Sequence, residues 1–192
     1  SLSFENDYPN VLTILELSRI PLRYSRRKES YPIVLAGGIT TFLNPEPLAE
    51  FMDFFALGEA EEVLPECLSM IVDSKSQEIS RRQLLAQLAK IEGIYVPHFY
   101  TVTYGENGEI SSFVPKKGIP SRVKRRWIKK VDNYSTQSII NSPAIEFGGM
   151  FLVEIGRGCF YGCRFCASGW IYRPVRMRSL KSLKKSIQSG VE

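Results

Sequence analysis

The sequence predicts an α/β protein, because short apolar strand segments alternate with amphipathic helices over residues 1–92. Two segments, residues 32–38 and 54–59, each contain an uninterrupted apolar run that closes on a glycine turn, and Glu59 ends the second segment. Strands that are covered on both faces of a parallel sheet have this composition. The repeated strand–helix order is typical of a doubly wound, Rossmann-like parallel sheet.

Each element of this first region has its own signal. Residues 2–4 predict a strand end, and residues 8–17 predict a helix with Val11, Leu12 and Leu15 on one face. Asn44-Pro45 predicts a helix start, since Asn accepts from free amides and Pro fits the first turn.

The helix after the second strand carries a single apolar stripe of Val63, Leu64, Cys67, Leu68 and Ile71. A cysteine in such a stripe indicates a core side chain rather than a ligand. A further helix is predicted over residues 80–91, and its inward face carries Leu84, Leu85, Leu88 and Ile91.

The pattern changes in the second half of the chain. Residues 99–104 and 110–114 predict a hairpin around Asn107-Gly108, a pair that favours a tight turn. Residues 150–156 predict one more apolar strand. The last segment predicts a helix whose apolar positions are Leu180, Leu183, Ile187 and Val191. Three cysteines lie between that strand and that helix, on a loop of the kind that often carries function.

The charge of the chain is unevenly placed. The net charge is +5, yet no Lys or Arg occurs between Glu29 and Ser74, whereas eight occur from residue 116 to residue 130. A basic cluster is typical of a nucleic-acid surface. A solvated helix face or a contact with an acidic neighbouring domain gives the same pattern, and we favour one of these two.

Composition also sets expectations about compartment. No run reaches the roughly 18 apolar residues of a membrane span, and no signal-peptide pattern is present. Three of the four cysteines lie together, which does not suggest a disulfide framework, so we expect a reducing cytoplasm. Since the chain begins without methionine and ends inside a helical pattern, we expect it to be a fragment of a longer protein.

Cys159, Cys163 and Cys166 fall within eight residues, in a chain with one further cysteine and one histidine. A structural zinc site needs four protein ligands, so Cys67 or His98 would have to complete it. His98 lies at the edge of a predicted strand, where a histidine is more often a hydrogen-bonded structural residue. Three cysteines on an iron–sulfur cluster would instead leave one iron open to a substrate or cofactor.

The Cys-x3-Cys-x-aromatic-Cys pattern, with Phe165 as the aromatic residue, directly follows an apolar strand and resembles the signature of the radical S-adenosylmethionine enzymes. The resemblance implies that Cys159, Cys163 and Cys166 hold a 4Fe–4S cluster and that Phe165 lies beside the adenine of S-adenosylmethionine. It implies reductive cleavage of this cofactor to a 5′-deoxyadenosyl radical, an oxidoreductase chemistry. The reaction would need a one-electron donor such as a flavodoxin or ferredoxin.

In one branch of this family, a cobalamin-binding-type domain precedes the radical S-adenosylmethionine (SAM) barrel. Residues 34–62 are similar to the second half of that domain. Gly37-Gly38 after a strand and Gly58-Glu59-Ala60-Glu61 after the next carry this similarity. The resemblance makes Gly37 and Gly38 candidate cofactor contacts, although a tight strand-to-helix turn needs glycine equally.

Cobalamin itself is a doubtful cofactor here, because the cobalt-binding Asp-x-His-x-x-Gly motif is absent. Val96 and Thr101 stand where the Asp and Gly would flank His98. Residues 166–179 resemble one subgroup of the family. Within them, residues 172–178 could hold an anionic ligand or form a solvated lead into the last helix, and we favour the solvated lead.

These observations predict three segments. Residues 1–92 form the C-terminal part of a cobalamin-binding-type Rossmann-like domain, 93–148 a hairpin and basic connector, and 149–192 the first strand–loop–helix of a truncated radical SAM barrel. The parent protein would act on an unknown substrate, either a small molecule or RNA, and the isolated chain is expected to be inactive. The alternative is a non-catalytic zinc-binding module, closed by His98 or a partner's residue, whose basic surface around Trp127 binds RNA.

Overall fold

A computed structural model describes residues 1–140, 142–144 and 146–190. The chain falls into two compact units, Ser1–Trp127 and Ile128–Glu192. This division differs from the three predicted segments, whose boundaries after residues 92 and 148 stay predictions.

The first unit is built on a small three-stranded sheet. Strands β1 (Leu35–Gly37) and β2 (Phe54–Ala56) pair in parallel, as the two apolar runs predict. Strand β3 (Ile94–Tyr95) pairs with β2 in antiparallel orientation. Two helices, rather than the single crossover of a parallel unit, connect β2 to β3, so the chain enters β3 in the opposite direction. The sheet is therefore mixed, and a Rossmann-like parallel sheet is not confirmed.

Four helices surround this sheet: α1 (Tyr8–Leu17), α2 (Ile39–Leu43), α3 (Ala60–Ser76) and α4 (Arg81–Leu88). The prediction for α1 is confirmed residue for residue. Ser80 caps α4 in a capping box, in which the Ser80 hydroxyl accepts from the Gln83 amide and the Gln83 side chain accepts from the Ser80 amide. Both donors that would otherwise be unpaired at the helix start are thus satisfied.

One local prediction in this unit is confirmed in part and another is wrong. A helical turn starts at Asn44-Pro45, where the Asn44 side chain accepts from the Glu46 amide at 3.0 Å, but it is a short 3₁₀ turn over Glu46–Leu48, and Asn44 also ends α2. Residues 2–4 form no strand. The amide of Leu2 nevertheless donates to the Gly37 carbonyl at 2.7 Å, which attaches the start of the chain to the end of β1.

The core of the first unit lies between the sheet and the helices. Cys67 on α3 is only 1% exposed, which confirms that it is a core side chain. Burial raises the pKa of its thiol to about 11, so the group stays protonated at neutral pH. Other side chains that are under 2% exposed include Phe54, Phe55, Val63, Leu88, Ile94 and Val96.

A buried ion cluster fixes the entry to β2. Asp53 is fully buried and accepts from Arg27 Nη1 at 3.1 Å and from Arg81 Nη2 at 2.7 Å. The same carboxylate accepts the amide of Val34 at 2.7 Å, beside the start of β1. One carboxylate therefore joins two strands, α4 and the segment before β1, and its charge is balanced by two guanidinium groups.

A hairpin follows β3, as Asn107-Gly108 predicts. Strands β4 (Tyr100–Tyr104) and β5 (Ile110–Pro115) pair in antiparallel orientation. The chain then returns to the end of β2, where the Arg126 amide donates to the Leu57 carbonyl and the Arg126 carbonyl accepts from the Glu59 amide, both at 3.0 Å. Gly58 lies between them with φ +150°, and a Cβ atom there would overlap the Arg126 carbonyl. Only glycine fits this crossing.

The second unit contains strands β6 (Gly156–Arg157) and β7 (Arg176–Met177), which pair in antiparallel orientation, and helices α5 (Ser168–Ile171) and α6 (Leu180–Gln188). The strand predicted over residues 150–156 is largely wrong, because only its last residue enters β6. Val153 makes one isolated bridge to Gln137. The start of a barrel is not confirmed.

Helix α6 confirms the last predicted helix as far as the structure describes it. Leu183 is half-buried, whereas Leu180 and Ile187 are exposed, and Val191 lies outside the described residues. Among the described residues, every helix is too short or too polar to cross a bilayer.

Candidate metal centre

The three clustered cysteines lie on residues 158–175, which we term the cysteine loop. The loop leaves the sheet at β6 and returns at β7, where Gly156 pairs with Met177 and Arg157 with Arg176. Its two ends are therefore held together by the strand pair. All three thiols are free: Cys163 is exposed, and Cys159 and Cys166 are half-buried.

Several contacts shape the inside of the loop. The amide of Cys166 donates to the Cys163 carbonyl at 3.2 Å, which forms a turn between these two cysteines. The indole Nε1 of Trp170 on α5 donates to the same carbonyl at 3.4 Å. Gly169 allows the Tyr161 carbonyl to approach within 3.0 Å of the point where a Cβ atom would lie. Helix α5 thus folds back against the segment that carries the cysteines.

The donor set suits a soft metal or an iron–sulfur cluster, because three thiols can supply three anionic sulfur ligands. The loop also carries Arg164 and Arg173 and contains no Asp or Glu, which favours an anionic centre. The described part of the chain brings no group of three or more Cys, His, Asp or Glu close enough to hold a metal ion. The assignment of Cys159, Cys163 and Cys166 as ligands stays a prediction.

Aromatic side chains project from the same loop. Phe165 is 91% exposed, and Phe160 and Tyr161 are also mostly exposed. An exposed ring between two cysteines is able to stack on a planar ligand. The predicted contact of Phe165 with adenine stays a prediction.

The glycines at the end of β1 have a visible structural role. Gly38 has φ +113°, and the backbone nitrogen of Leu2 lies 2.6 Å from the point where its Cβ atom would be. The backbone of Leu2 therefore occupies the space that the missing side chain leaves. Cofactor contact by Gly37 and Gly38 stays a prediction.

His98 is held by its own unit. Its Nε2 donates to the Met52 carbonyl at 2.9 Å, its ring stacks on Tyr24, and its carbonyl accepts from Lys116 Nζ at 2.6 Å. Burial lowers its pKa to about 4, so the ring is neutral at physiological pH. These contacts describe a hydrogen-bonded structural histidine and give no support to a zinc ligand.

The predicted solvated lead into the last helix is wrong for two of its arginines. Arg176 and Arg178 are only 8% and 6% exposed. Arg176 donates to the carbonyls of Ile128 and Pro174, at 2.6 Å and 3.0 Å. Arg178 donates to two other carbonyls and lies 3.5 Å from a carboxylate oxygen of Glu154.

A signal for this burial was present in the sequence. Arg176 and Arg178 are two residues apart, at and just after β7, so a strand places both side chains on one face. Arg157, on the partner strand β6, also binds the Glu154 carboxylate, through its Nε at 2.6 Å. An inward-facing arginine pair was missed because the charged segment was interpreted as solvent-exposed.

Comparison with known proteins identifies the chain's relatives. Residues 1–97, half of the chain, match the family model described as radical SAM proteins, N-terminal. An uncharacterized protein of Methanocaldococcus jannaschii is 31% identical over 199 aligned positions, which cover 100% of this chain and 34% of that relative. No solved structure matches the chain.

These findings bear on the family but not on every cofactor. The chain spans about a third of the length of its curated relative, and that relative's name states no activity. Neither the family match nor the relative gives support to cobalamin. The match over the first half of the chain and the cysteine pattern in the second agree in one conclusion: this chain belongs to the family of radical SAM proteins.

Proposed function

We propose that this chain is part of a radical S-adenosylmethionine enzyme and that Cys159, Cys163 and Cys166 hold its 4Fe–4S cluster. One observation carries the proposal: three free thiols lie within eight residues on a single loop whose ends are paired through β6 and β7. The family match supports the class of enzyme. A structural thiol would be buried as Cys67 is, whereas the loop thiols are accessible to a ligand.

The residues of the loop have distinct roles in this proposal. The three cysteines must lose their protons to become ligands, so cluster binding releases protons and weakens at low pH. Arg164 and Arg173 place positive charge in the loop and offset the charge of the thiolates. Phe165 presents an exposed ring for the adenine of the second cofactor. When bound, the cluster supplies one electron and an open iron for S-adenosylmethionine.

The proposal implies a partner and a compartment. An electron has to reach the cluster, so we expect a one-electron donor such as a reduced flavodoxin or ferredoxin. Three accessible free thiols oxidise readily, and they are kept reduced in the cytoplasm. The enzyme's substrate would be a small molecule or RNA.

Metal content after anaerobic reconstitution tests the proposal. The chain is incubated with iron and sulfide, desalted, and assayed for iron, sulfide and zinc, beside a variant with all three loop cysteines changed to alanine. We expect about four irons per wild-type chain and almost none in the variant. One tightly held zinc and no stable iron would instead support the non-catalytic zinc-binding module. Equal iron in both proteins would contradict the ligand assignment.

A further inference from the structure

We infer that Arg176 is a positioning residue for the cysteine loop: its buried guanidinium fixes the returning end of the loop against the residue that precedes Cys159. The inference rests on the proposed function only for what the loop holds. The positioning itself is a property of the chain without any cofactor.

Arg176 binds three backbone carbonyls. Its Nε donates to the Pro174 carbonyl at 3.0 Å, and its Nη2 reaches the Tyr172 carbonyl at 3.4 Å. Its Nη1 donates to the Ile128 carbonyl at 2.6 Å. The planar guanidinium thus joins two carbonyls from the last turn of the loop to the first residue of the second unit. Lysine carries one ammonium group and cannot reproduce this fork of donors.

The same turn of the loop contacts the residue before the first cysteine. Gly158 directly precedes Cys159 and has φ +89°. A Cβ atom on Gly158 would lie 2.6 Å from the Tyr172 carbonyl oxygen and 3.1 Å from Val175 Cα. The Tyr172 peptide is therefore in contact with Arg176 on one side and with Gly158 on the other. A shift of the guanidinium moves the peptide that supports Cys159.

The second unit contains another buried arginine with different acceptors. Arg178 is as buried as Arg176, and it also donates to backbone carbonyls, those of Val131 and Tyr134. Its acceptors all lie before β6, outside the cysteine loop; Thr136 Oγ1 is a further one, at 2.9 Å. Arg178 therefore serves as a matched control, since its loss would weaken the second unit without releasing the loop.

The test is performed on the reduced chain without metal. Arg176→Gln, Arg176→Lys and Arg178→Lys are treated with iodoacetamide, and modification of each cysteine is followed by peptide mass spectrometry. We expect Arg176→Gln to speed modification of half-buried Cys159 by about tenfold, because the loop end loses its charged donor. Arg176→Lys should give a smaller increase, and Arg178→Lys should leave the Cys159 rate within about twofold of wild type.

Gly158→Ala provides a second variant that leaves the arginine unchanged. It should displace the Tyr172 carbonyl and produce the same faster reaction of Cys159. Gly158→Ala tests the contact with the Tyr172 carbonyl, and the matched comparison of Arg176→Lys with Arg178→Lys decides the role of Arg176 if Arg176→Gln does not fold, as judged by hydrogen exchange in α6. Equal rate changes in the Arg176 and Arg178 variants would overturn the inference, because a general loss of stability would then explain both.

Reconstitution separates this inference from the proposed function. We expect the Arg176→Gln protein to retain less iron than wild type and to give a broadened electron paramagnetic resonance spectrum. The iron content and spectrum of Arg178→Lys should be closer to those of wild type. If wild type binds no iron while the Cys159 rate still responds to Arg176, the proposed cluster fails and the positioning role stands. If Arg176→Gln reacts and reconstitutes as wild type does, the positioning role fails and the cluster stands.

Discussion

The buried carboxylate of Asp53 offers the sharpest test of how the first unit is held together. It accepts from Arg27 Nη1, from Arg81 Nε and Nη2, and from the Val34 amide, over distances of 2.7 to 3.1 Å. Asp53→Asn keeps the shape but removes the charge, and it turns an amide group toward donors that need an acceptor. Two guanidinium groups are then left without a counterion in the interior.

The expected cost is about 3–5 kcal/mol in the free energy of unfolding, the range for breaking one side of a buried ion pair. With a urea slope of about 2 kcal/mol per molar, the midpoint should fall by roughly 2 M. Circular dichroism during urea titration measures this shift. Glu50→Gln is the control, because the Glu50–Arg23 pair is about 60% exposed and should contribute at most about 1 kcal/mol. A midpoint for Asp53→Asn that matches this control would show that the Asp53 ion pairs do not stabilise the first unit.

Three further predictions concern the first unit. Gly58→Ala should destabilise it by about 2–4 kcal/mol in urea unfolding, because the new Cβ overlaps the Arg126 carbonyl at φ +150°. Gly108→Ala is the control and should cost about 1 kcal/mol, because a Cβ there meets open space at φ +80°. Equal costs would contradict a close contact between Gly58 and the Arg126 carbonyl. The pKa of His98 falls from 6.5 to about 4 on folding, so the unfolded chain takes up the proton first and stability should decrease by about 3 kcal/mol as pH falls from 6.5 to 4. Comparing the unfolding midpoints of wild type and His98→Gln between these pH values isolates this contribution, and identical slopes would refute it. Cys67, which is buried and has a pKa of about 11, should stay unmodified by iodoacetamide at pH 8 while the three loop cysteines react. A fourth reactive thiol should appear only in urea. Modification of all four cysteines in the folded chain would show that the core around Cys67 is open to solvent.

Elements with strong local signals could be predicted from the sequence. Helix α1 was predicted at its observed bounds. The capping residues of α4 and the Asn107-Gly108 turn likewise contact only residues that are near them in the sequence. Each of these signals depends on contacts between near neighbours in the chain, so no knowledge of the tertiary structure is needed.

Elements that depend on distant partners could not be predicted. The direction of β3 follows from two helices that separate it from β2, and residues 150–155 lack the continuous strand partner that their apolar pattern suggests. Whether an apolar run becomes a strand depends on what pairs with it, which local composition does not record.

The candidate site divides in the same way. The spacing of the three cysteines and their position on a loop were predictable because both are local properties of the sequence, whereas the apolar strand predicted before them is largely absent. The burial of Arg176 beside the cysteine loop depends on the carbonyl of Ile128, which is far away in sequence. A charged residue in a basic segment gives no local sign that backbone carbonyls surround it.

The most direct test of the cluster site is low-temperature electron paramagnetic resonance of the reconstituted, dithionite-reduced chain with each cysteine replaced singly by alanine. If the three loop cysteines are the ligands, a cubane signal is lost or strongly reduced in the Cys159, Cys163 and Cys166 variants and retained in Cys67→Ala. A signal that survives the loss of any loop cysteine, or that disappears with Cys67, would contradict the claim that these three thiols hold the cluster.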